Sequence, residues 1–354
     1  MQCNKLQLIV KGYGFMDLKK YSCPKIASSE NNLCKHHIPS VDKVTGKPDD
    51  CAGFCGLPSE FRCIEDMKHK AIKISHSASR NYLTCKLKFW YSSICGIGMK
   101  PECKGNALKM GGLWDTVQSV IYGHKTKSDI DGYISKYEMD DESIYKVMAM
   151  YEAYKELIVP DLDGVEVQKE VTYAHLDDIN NDVIIHGITD RSYSDHFVEC
   201  KFSGKPNDYT QSIFRIASQV GTYFLCDDSY KYAILEVVRT PQLRKGENEE
   251  VEAFGTRIYK DIMSRPSYYF VGYNKINKKF GVMFYRNEFE PFIRDVESRY
   301  KWIVKEIRES VERNSWYGND TGCFAFGGKC DYYSICENGN GWASEGKYII
   351  KEKE

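Results

Sequence analysis

The spacing of apolar positions divides the chain into helical and extended stretches. Between Asp141 and Val159, apolar side chains fall at Ile144, Val147, Met148, Tyr151, Tyr154, Leu157 and Ile158. Steps of three and four place them on one face of an amphipathic helix, which Pro160 stops. The same reading predicts helices over Tyr209–Leu225, over about Val251–Met263 ahead of Pro266, and from Glu290 to about Arg313. Met110–Val120 also reads as a helix, with Gly111 and Gly112 allowing close backbone packing at its start. Extended runs are expected at Leu6–Val10, Glu166–Tyr173, Ile184–Arg191, Phe197–Phe202, Tyr232–Val238, Tyr268–Tyr273 and Phe280–Arg286. Thr240-Pro241 and the polar run 245–248 mark an exposed loop. Helices alternating with strands in this way define the α/β class rather than a bundle or a sandwich.

One of these stretches carries chemistry. Ile184 to Arg191, a short polar turn, and Phe197 to Phe202 form an expected hairpin. Side chains alternate faces along a strand, so Glu199 and Lys201 share one face and Cys200 points to the other. A turn at residues 192–196 brings Asp190 beside Glu199. Two carboxylates and an ammonium on one sheet edge are the parts of a site that holds Mg²⁺ or Mn²⁺ and activates water against a phosphodiester. An exposed strand bearing an ordinary Glu/Lys pair is the competing reading of the same residues. Downstream, Gln219 and Tyr223 are four apart and so occupy one helix face.

Charge changes the picture further. The chain of 354 residues is nearly balanced at net −1, yet residues 1–110 hold 18 Lys and Arg against 9 Asp and Glu, and the remainder 31 against 41. A basic front suits a polyanionic partner, and a solvated basic face without a ligand is the competing reading. No run reads as a signal peptide or membrane span, which predicts a cytoplasmic protein without a membrane partner. In a reducing compartment the 14 cysteines are better explained by metal than by disulfides. Nine lie within residues 3–103 and three cluster at Cys323, Cys330 and Cys336, which suggests two metal centres.

Residues 1–75 are loop-rich and poor in apolar periodicity, so a bound Zn²⁺ is the expected staple. Cys51, Cys55 and Cys63 are the favoured ligands, with a fourth from Cys34, His36 or Cys23; the irregular spacing leaves free structural thiols as the competing reading.

The order of seven short motifs then becomes informative. Ser77-x7-Cys85, Gly111-x3-Asp115, Glu170, Gly187-x2-Asp190-Arg191, Glu199-x-Lys201, Gln219-x3-Tyr223 and Cys323-x6-Cys330-x5-Cys336 follow one another along the chain. Over roughly residues 75–340 this order resembles the RecB-like branch of the PD-(D/E)XK nucleases. It is most similar to the iron–sulfur members, which include CRISPR-adaptation exonucleases, AddB-type nuclease domains and related phage nucleases. The resemblance implies a restriction-endonuclease-like core over 76–313, a mixed sheet flanked by helices. It also implies a cluster-binding C-terminal tail over 314–354 that clasps the core. Asp190 and Glu199 would hold the divalent metal, Lys201 would orient water and offset phosphate charge, and Glu170 would help position the metal or Lys201. Gln219 and Tyr223 would support the site and touch DNA.

Cys85, Cys323, Cys330 and Cys336 would hold a [4Fe–4S] cluster, and a four-thiolate zinc site would satisfy the same residues. Three departures from the family pattern are visible, one of them the gap of six residues between Cys323 and Cys330, wider than the commonest family spacing. Asp115 stands where many relatives carry a metal-binding His, and Lys86 follows Cys85 where proline is usual, which leaves Cys95 and Cys103 as rival ligands. The implied activity is metal-dependent cleavage of DNA, as an exonuclease or flap-processing enzyme on single-stranded ends, with protein partners in a recombination, phage or CRISPR-adaptation complex. A non-catalytic nucleic-acid scaffold with a degenerate site is the alternative.

Overall fold

The computed structural model describes residues 72–176, 182–204, 214, 217–313, 315–324, 328–338 and 346–350. The expected zinc ligands Cys34, Cys51, Cys55 and Cys63 therefore lie outside the described residues, as do Leu6–Val10 and most of the first half of the helix expected at 209–225. Strand β1 (Ile72–Ser75) sits inside the cysteine-rich segment as drawn from sequence, but it pairs in parallel with β5 (Asp182–Ile188).

The remaining elements follow in chain order. They are α1 (His76–Thr84), β2 (Ile97–Met99), α2 (Asn106–Ile121), α3 (Lys127–Tyr137) and α4 (Asp141–Leu157). Next come β3 (Glu166–Val167), β4 (Glu170–Leu176), then β5, β6 (Arg191–Ser192) and β7 (His196–Ser203). The chain continues with α5 (Ser218–Cys226), β8 (Tyr232–Arg239), α6 (Val251–Ser264), β9 (Val282–Tyr285), α7 (Glu290–Arg313) and β10 (Tyr348–Ile350). Mixed α/β architecture is thus observed.

The strands form three sheets, ordered β1-β5-β4, β3-β6-β7-β8-β9 and β10-β2. In the largest, β7 and β8 run parallel and every other pair is antiparallel. The run Glu166–Tyr173 is not one strand. Gln168 adopts the left-handed conformation (φ 53°), which breaks it into β3 and β4. The facing pass breaks at the same level, at Thr189-Asp190 between β5 and β6. Two backbone bonds tie the breaks together, Gln168 N to Asp190 O at 3.1 Å and Thr189 N to Lys169 O at 3.0 Å. The hairpin read from sequence is therefore real between β6 and β7 but does not extend to β5, which belongs to the smaller sheet. Asp190 lies in the gap where the sheets part.

The two faces of the large sheet bury different cores. Phe197, Ala233, Leu235 and Val237 face α5 through Val220, Tyr223 and Phe224. Cys200 and Val238 face the other way, onto Trp114 of α2, Tyr154 of α4 and Phe254 of α6. Helix α5 approaches α7 closely because Gly221 has no side chain: a Cβ there would stand 2.9 Å from Val296 Cγ2. The α2 helix starts at Asn106, earlier than expected, so Gly112 sits in its interior and leaves room for Tyr133, whose hydroxyl donates to Lys109 O at 3.1 Å.

The run Tyr268–Tyr273 is also not a strand. Pro266 opens a helical turn to Tyr269, and only Phe270 bridges to Val238. The turn buries Tyr269 and Phe270 in the core without any alternation of faces.

Toward the C-terminus, residues 315–324 and 328–338 and β10 dock on the segment 82–99. Trp316 packs on Trp90 at 4.9 Å, and Tyr332 stacks on Tyr91 at 5.8 Å and donates to Ile97 O at 2.8 Å. Asn319 donates to Thr84 O at 2.9 Å, and β10 pairs with β2.

Behind the sheet, buried Arg191 of β6 reaches across β7 to the carboxylate of Glu236 on β8 and donates to the Tyr122 hydroxyl. Burial disfavours the Arg191 charge, but Glu236 and then Tyr122 outweigh it and hold the guanidinium charged. Removing one partner strands the other charge. Arg191→Ala should cost about 3–5 kcal/mol in denaturant unfolding. The double variant Arg191→Met/Glu236→Leu should recover most of that loss, and a double variant as unstable as the single one would contradict the pairing.

Candidate active site

Each polar group of the site is held by a separate element. The register Arg191↔Val198 between β6 and β7 sets Asp190 next to Glu199. Asp190 Oδ2 accepts from Cys200 N at 2.6 Å, so the β7 backbone fixes that carboxylate. Strand alternation then holds as expected. Glu199 and Lys201 share a face and form an ion pair, while Cys200 turns to the opposite core and accepts from Trp114 Nε1 at 3.3 Å.

Helix α5 closes the site from the side. Gln219 Nε2 donates to Glu199 Oε1 at 2.9 Å and approaches the Tyr223 hydroxyl at 2.8 Å. That hydroxyl donates to Ile188 O at 2.7 Å, which ties α5 to the end of β5. Gly187 makes the approach possible, because a Cβ there would stand 2.5 Å from Tyr223 Cε1. The sequence spacings Gly187-x2-Asp190, Glu199-x-Lys201 and Gln219-x3-Tyr223 thus converge on one place.

Glu199 is the floor of this cleft, only 2 % exposed. Its Oε1 is bonded to Lys201 and Gln219, while buried Oε2 has no hydrogen-bond partner among the described residues. Burial, then the neighbouring Asp190 charge, push the Glu199 carboxyl up to about 7. Asp190 is also raised, by burial, against the pull of Lys201 and the Cys200 N–H. Asp115 stands at the solvent-open rim of the cleft. Surrounding protein, then Asp190, raise its carboxyl to about 7. Lys201, with its side chain 44 % exposed, loses by desolvation and gains more from Glu199 and Asp190, so it is held above its ordinary range.

Glu170 stands elsewhere. It pairs with Lys73 at 2.5 Å and lies 3.6 Å from His186, on the smaller sheet, and no hydrogen bond or ion pair joins it to Asp190, Glu199 or Lys201 among the described residues. Its place is fixed by the break at Gln168, which sends β4 into pairing with β5 and away from β7.

The cysteines gather as well. The Cys336 thiol is pushed up to about 11 by burial and then by the thiols of Cys85, Cys323 and Cys330. Cys330 N donates to Cys323 O at 2.7 Å, and Cys85 caps the turn at Lys86 by accepting from Lys88 N at 3.4 Å. Cys95 lies deep in the core, its thiol raised to about 12 by burial. Among the described residues no three His, Cys, Asp or Glu side chains are grouped as they stand to hold a metal ion.

Three residues of this region were not singled out from sequence. His76 pairs with Ser218 Oγ at 2.9 Å and is pulled down to about 4 by burial, then by Arg80, Lys201 and Arg299. It is therefore a neutral imidazole among cations beside the cleft. Gln118 is the third, 7 % exposed, with neither amide atom bonded among the described residues. Its spacing of three from Asp115 on one helix was the only available signal.

No protein-family model matches this chain, and no curated protein matches it. Fold and site together define an α/β protein with a carboxylate-rich cleft served by one lysine. No helix among the described residues is long and apolar enough to cross a membrane.

The raised Glu199 carboxyl links stability to pH. The folded protein keeps a proton up to about 7 that the unfolded chain releases near 4.5, so this stabilisation is full below 4.5 and lost as pH rises through 7. In EDTA, Glu199→Gln should therefore be more stable than wild type at pH 8 by on the order of 1–3 kcal/mol, the two converging near pH 4. Equal or lower stability of the variant at pH 8 in thermal melts would contradict the electrostatic account.

Proposed function

We propose that this protein is a metal-dependent deoxyribonuclease of the PD-(D/E)XK type, acting on the ends or flaps of single-stranded DNA. The observation that carries the reading is the Glu199 carboxylate, with one oxygen bound to Lys201 and Gln219 and the other buried and unpartnered beside Asp190. A buried orphan oxygen is costly unless a proton, a water or a cation meets it, and among Asp190, Asp115 and Glu199 a cation would offset all three carboxylates. The mixed sheet flanked by helices on both faces is in keeping with such a core.

Asp190 and Glu199, with Asp115 at the rim, would hold Mg²⁺ or Mn²⁺, hard cations that take carboxylate oxygens. When bound, the ion supplies a nucleophilic water at neutral pH and neutralises phosphate charge. The chain's own groups do the rest. Lys201 presents its ammonium at the cleft to a phosphate oxygen and offsets charge developing there. Gln219 fixes the rotamer of Glu199, and Tyr223 fixes Gln219 against the β5 backbone. Glu170, paired with Lys73, would act on this centre only from its margin. DNA would be held through its phosphates by the basic front of the chain, with His76 and Ser218 flanking the cleft.

For the tail, we infer a [4Fe–4S] cluster at Cys85, Cys323, Cys330 and Cys336, supported by the nearness of the other three thiols to Cys336 and by the docking of 315–324 and 328–338 on 82–99. Zinc at the same thiols is the competing occupant. The N-terminal cysteines keep their proposed zinc role on sequence grounds alone.

On end-labelled single-stranded DNA with Mn²⁺, wild-type protein should cleave and EDTA should stop it. Asp190→Ala should lose activity by at least about 10³-fold and Lys201→Ala by about 10²–10³-fold, as for loss of a charge-stabilising group. Full activity in Asp190→Ala would overturn the site, and binding without cleavage in every metal would favour the scaffold reading. Anaerobically purified protein should be brown, with about four irons per chain. Four-thiolate zinc without iron would reassign the tail.

A further inference from the structure

Helix α2 presents Asp115, Gln118, Ser119 and Tyr122 to a small cavity whose opposite wall includes Asp190 and Arg191. Their spacings of three, four and seven put them on one helix face. Most of these groups are already engaged. Arg191 is committed to Glu236 and Tyr122, Tyr122 also meets Tyr154 at 3.3 Å, and the Ser119 hydroxyl donates back to Asp115 O at 2.9 Å. Gln118 is the exception. It is 7 % exposed, it lines the cavity, and neither its carbonyl oxygen nor its amide nitrogen has a partner among the described residues.

An amide buried with both ends unmade persists when something else satisfies it. The two carboxylates beside it narrow what that can be. A bare anion is repelled by Asp115 and Asp190, and an apolar filler leaves the amide unpaired. The cavity has room for about one water. That water would satisfy the amide carbonyl and, with a divalent cation held by Asp115 and Asp190, would belong to the ion's hydration shell, while the amide nitrogen would turn to a carboxylate oxygen.

We propose that Gln118 is a positioning residue for the cation, bridging its hydration shell to the Asp115–Asp190 pair. This rests on the reading of the site as a divalent-metal centre. Gln118 then acts before any DNA is bound, and its contribution is measurable as ion affinity without turnover. Outer groups of this kind typically contribute 10–100-fold in metal affinity.

The test is calorimetric titration of the EDTA-treated full chain with Mn²⁺ alone, on wild type, Gln118→Leu, Gln118→Asn and Asp190→Ala. Gln118→Leu should bind Mn²⁺ 10–100-fold more weakly than wild type, while its ion-free melting temperature is equal or higher because the stranded amide is gone. Gln118→Asn, which keeps the amide but draws it back by one carbon, should fall between them and serves alone if the leucine variant does not fold. Asp190→Ala should abolish the binding. If Gln118→Leu, or in its absence Gln118→Asn, binds within twofold of wild type while Asp190→Ala does not bind, the role of Gln118 is overturned and the metal centre stands. If wild type and Asp190→Ala bind alike, or neither binds, the metal centre itself falls and the proposal with it.

Discussion

Charge imbalance in one cleft is the constraint on which the rest of this structure depends. Asp190, Glu199 and Asp115 crowd around a single ammonium, that of Lys201, while the nearest guanidinium, Arg191, is committed behind the sheet to Glu236. Like charges at this range raise one another's pKa, and burial of Glu199 compounds the effect. A protein gains nothing in stability from such an arrangement. It is tolerated where the missing positive charge is brought by something bound, which is why the unpartnered Glu199 oxygen weighs more than any motif.

Much of the surrounding architecture serves to hold that imbalance in place. The sheet parts at Gln168 and at Thr189-Asp190, so Asp190 is held by backbone bonds from both halves instead of being absorbed into a regular strand pair. Gly187 and Gly221 let α5 lie close to β5 on one side and α7 on the other. Gln219 and Tyr223 are thereby delivered to Glu199 by a rigid helix. Opposite, the stack of Trp114, Cys200, Arg191 and Glu236 gives β6, β7 and β8 a packed rear face.

The legible part of the sequence was the part governed by short-range periodicity. Alternation in β7 gave the shared face of Glu199 and Lys201, the four-residue step gave Gln219 and Tyr223, and three-and-four spacing gave α4, α6 and α7 with nearly their observed ends. What failed depended on tertiary context. Nothing local announces that Gln168 takes a positive φ and splits the expected strand, or that Glu170 pairs with Lys73 on the smaller sheet. Tyr268–Tyr273 is apolar without alternation, and its rings are buried by a helical turn as well as they would be by a strand. His76, Ser218 and Gln118 matter through contacts made across more than seventy positions or through a missing partner, and neither is written in spacing.

The most direct measurement is the anomalous scattering of Mn²⁺ in crystals of the full chain. The account predicts a peak bounded by the carboxylates of Asp190 and Glu199, with Asp115 turned toward it and the free Glu199 oxygen engaged. A map in which these carboxylates hold no ion, with manganese bound elsewhere or not at all, would contradict it.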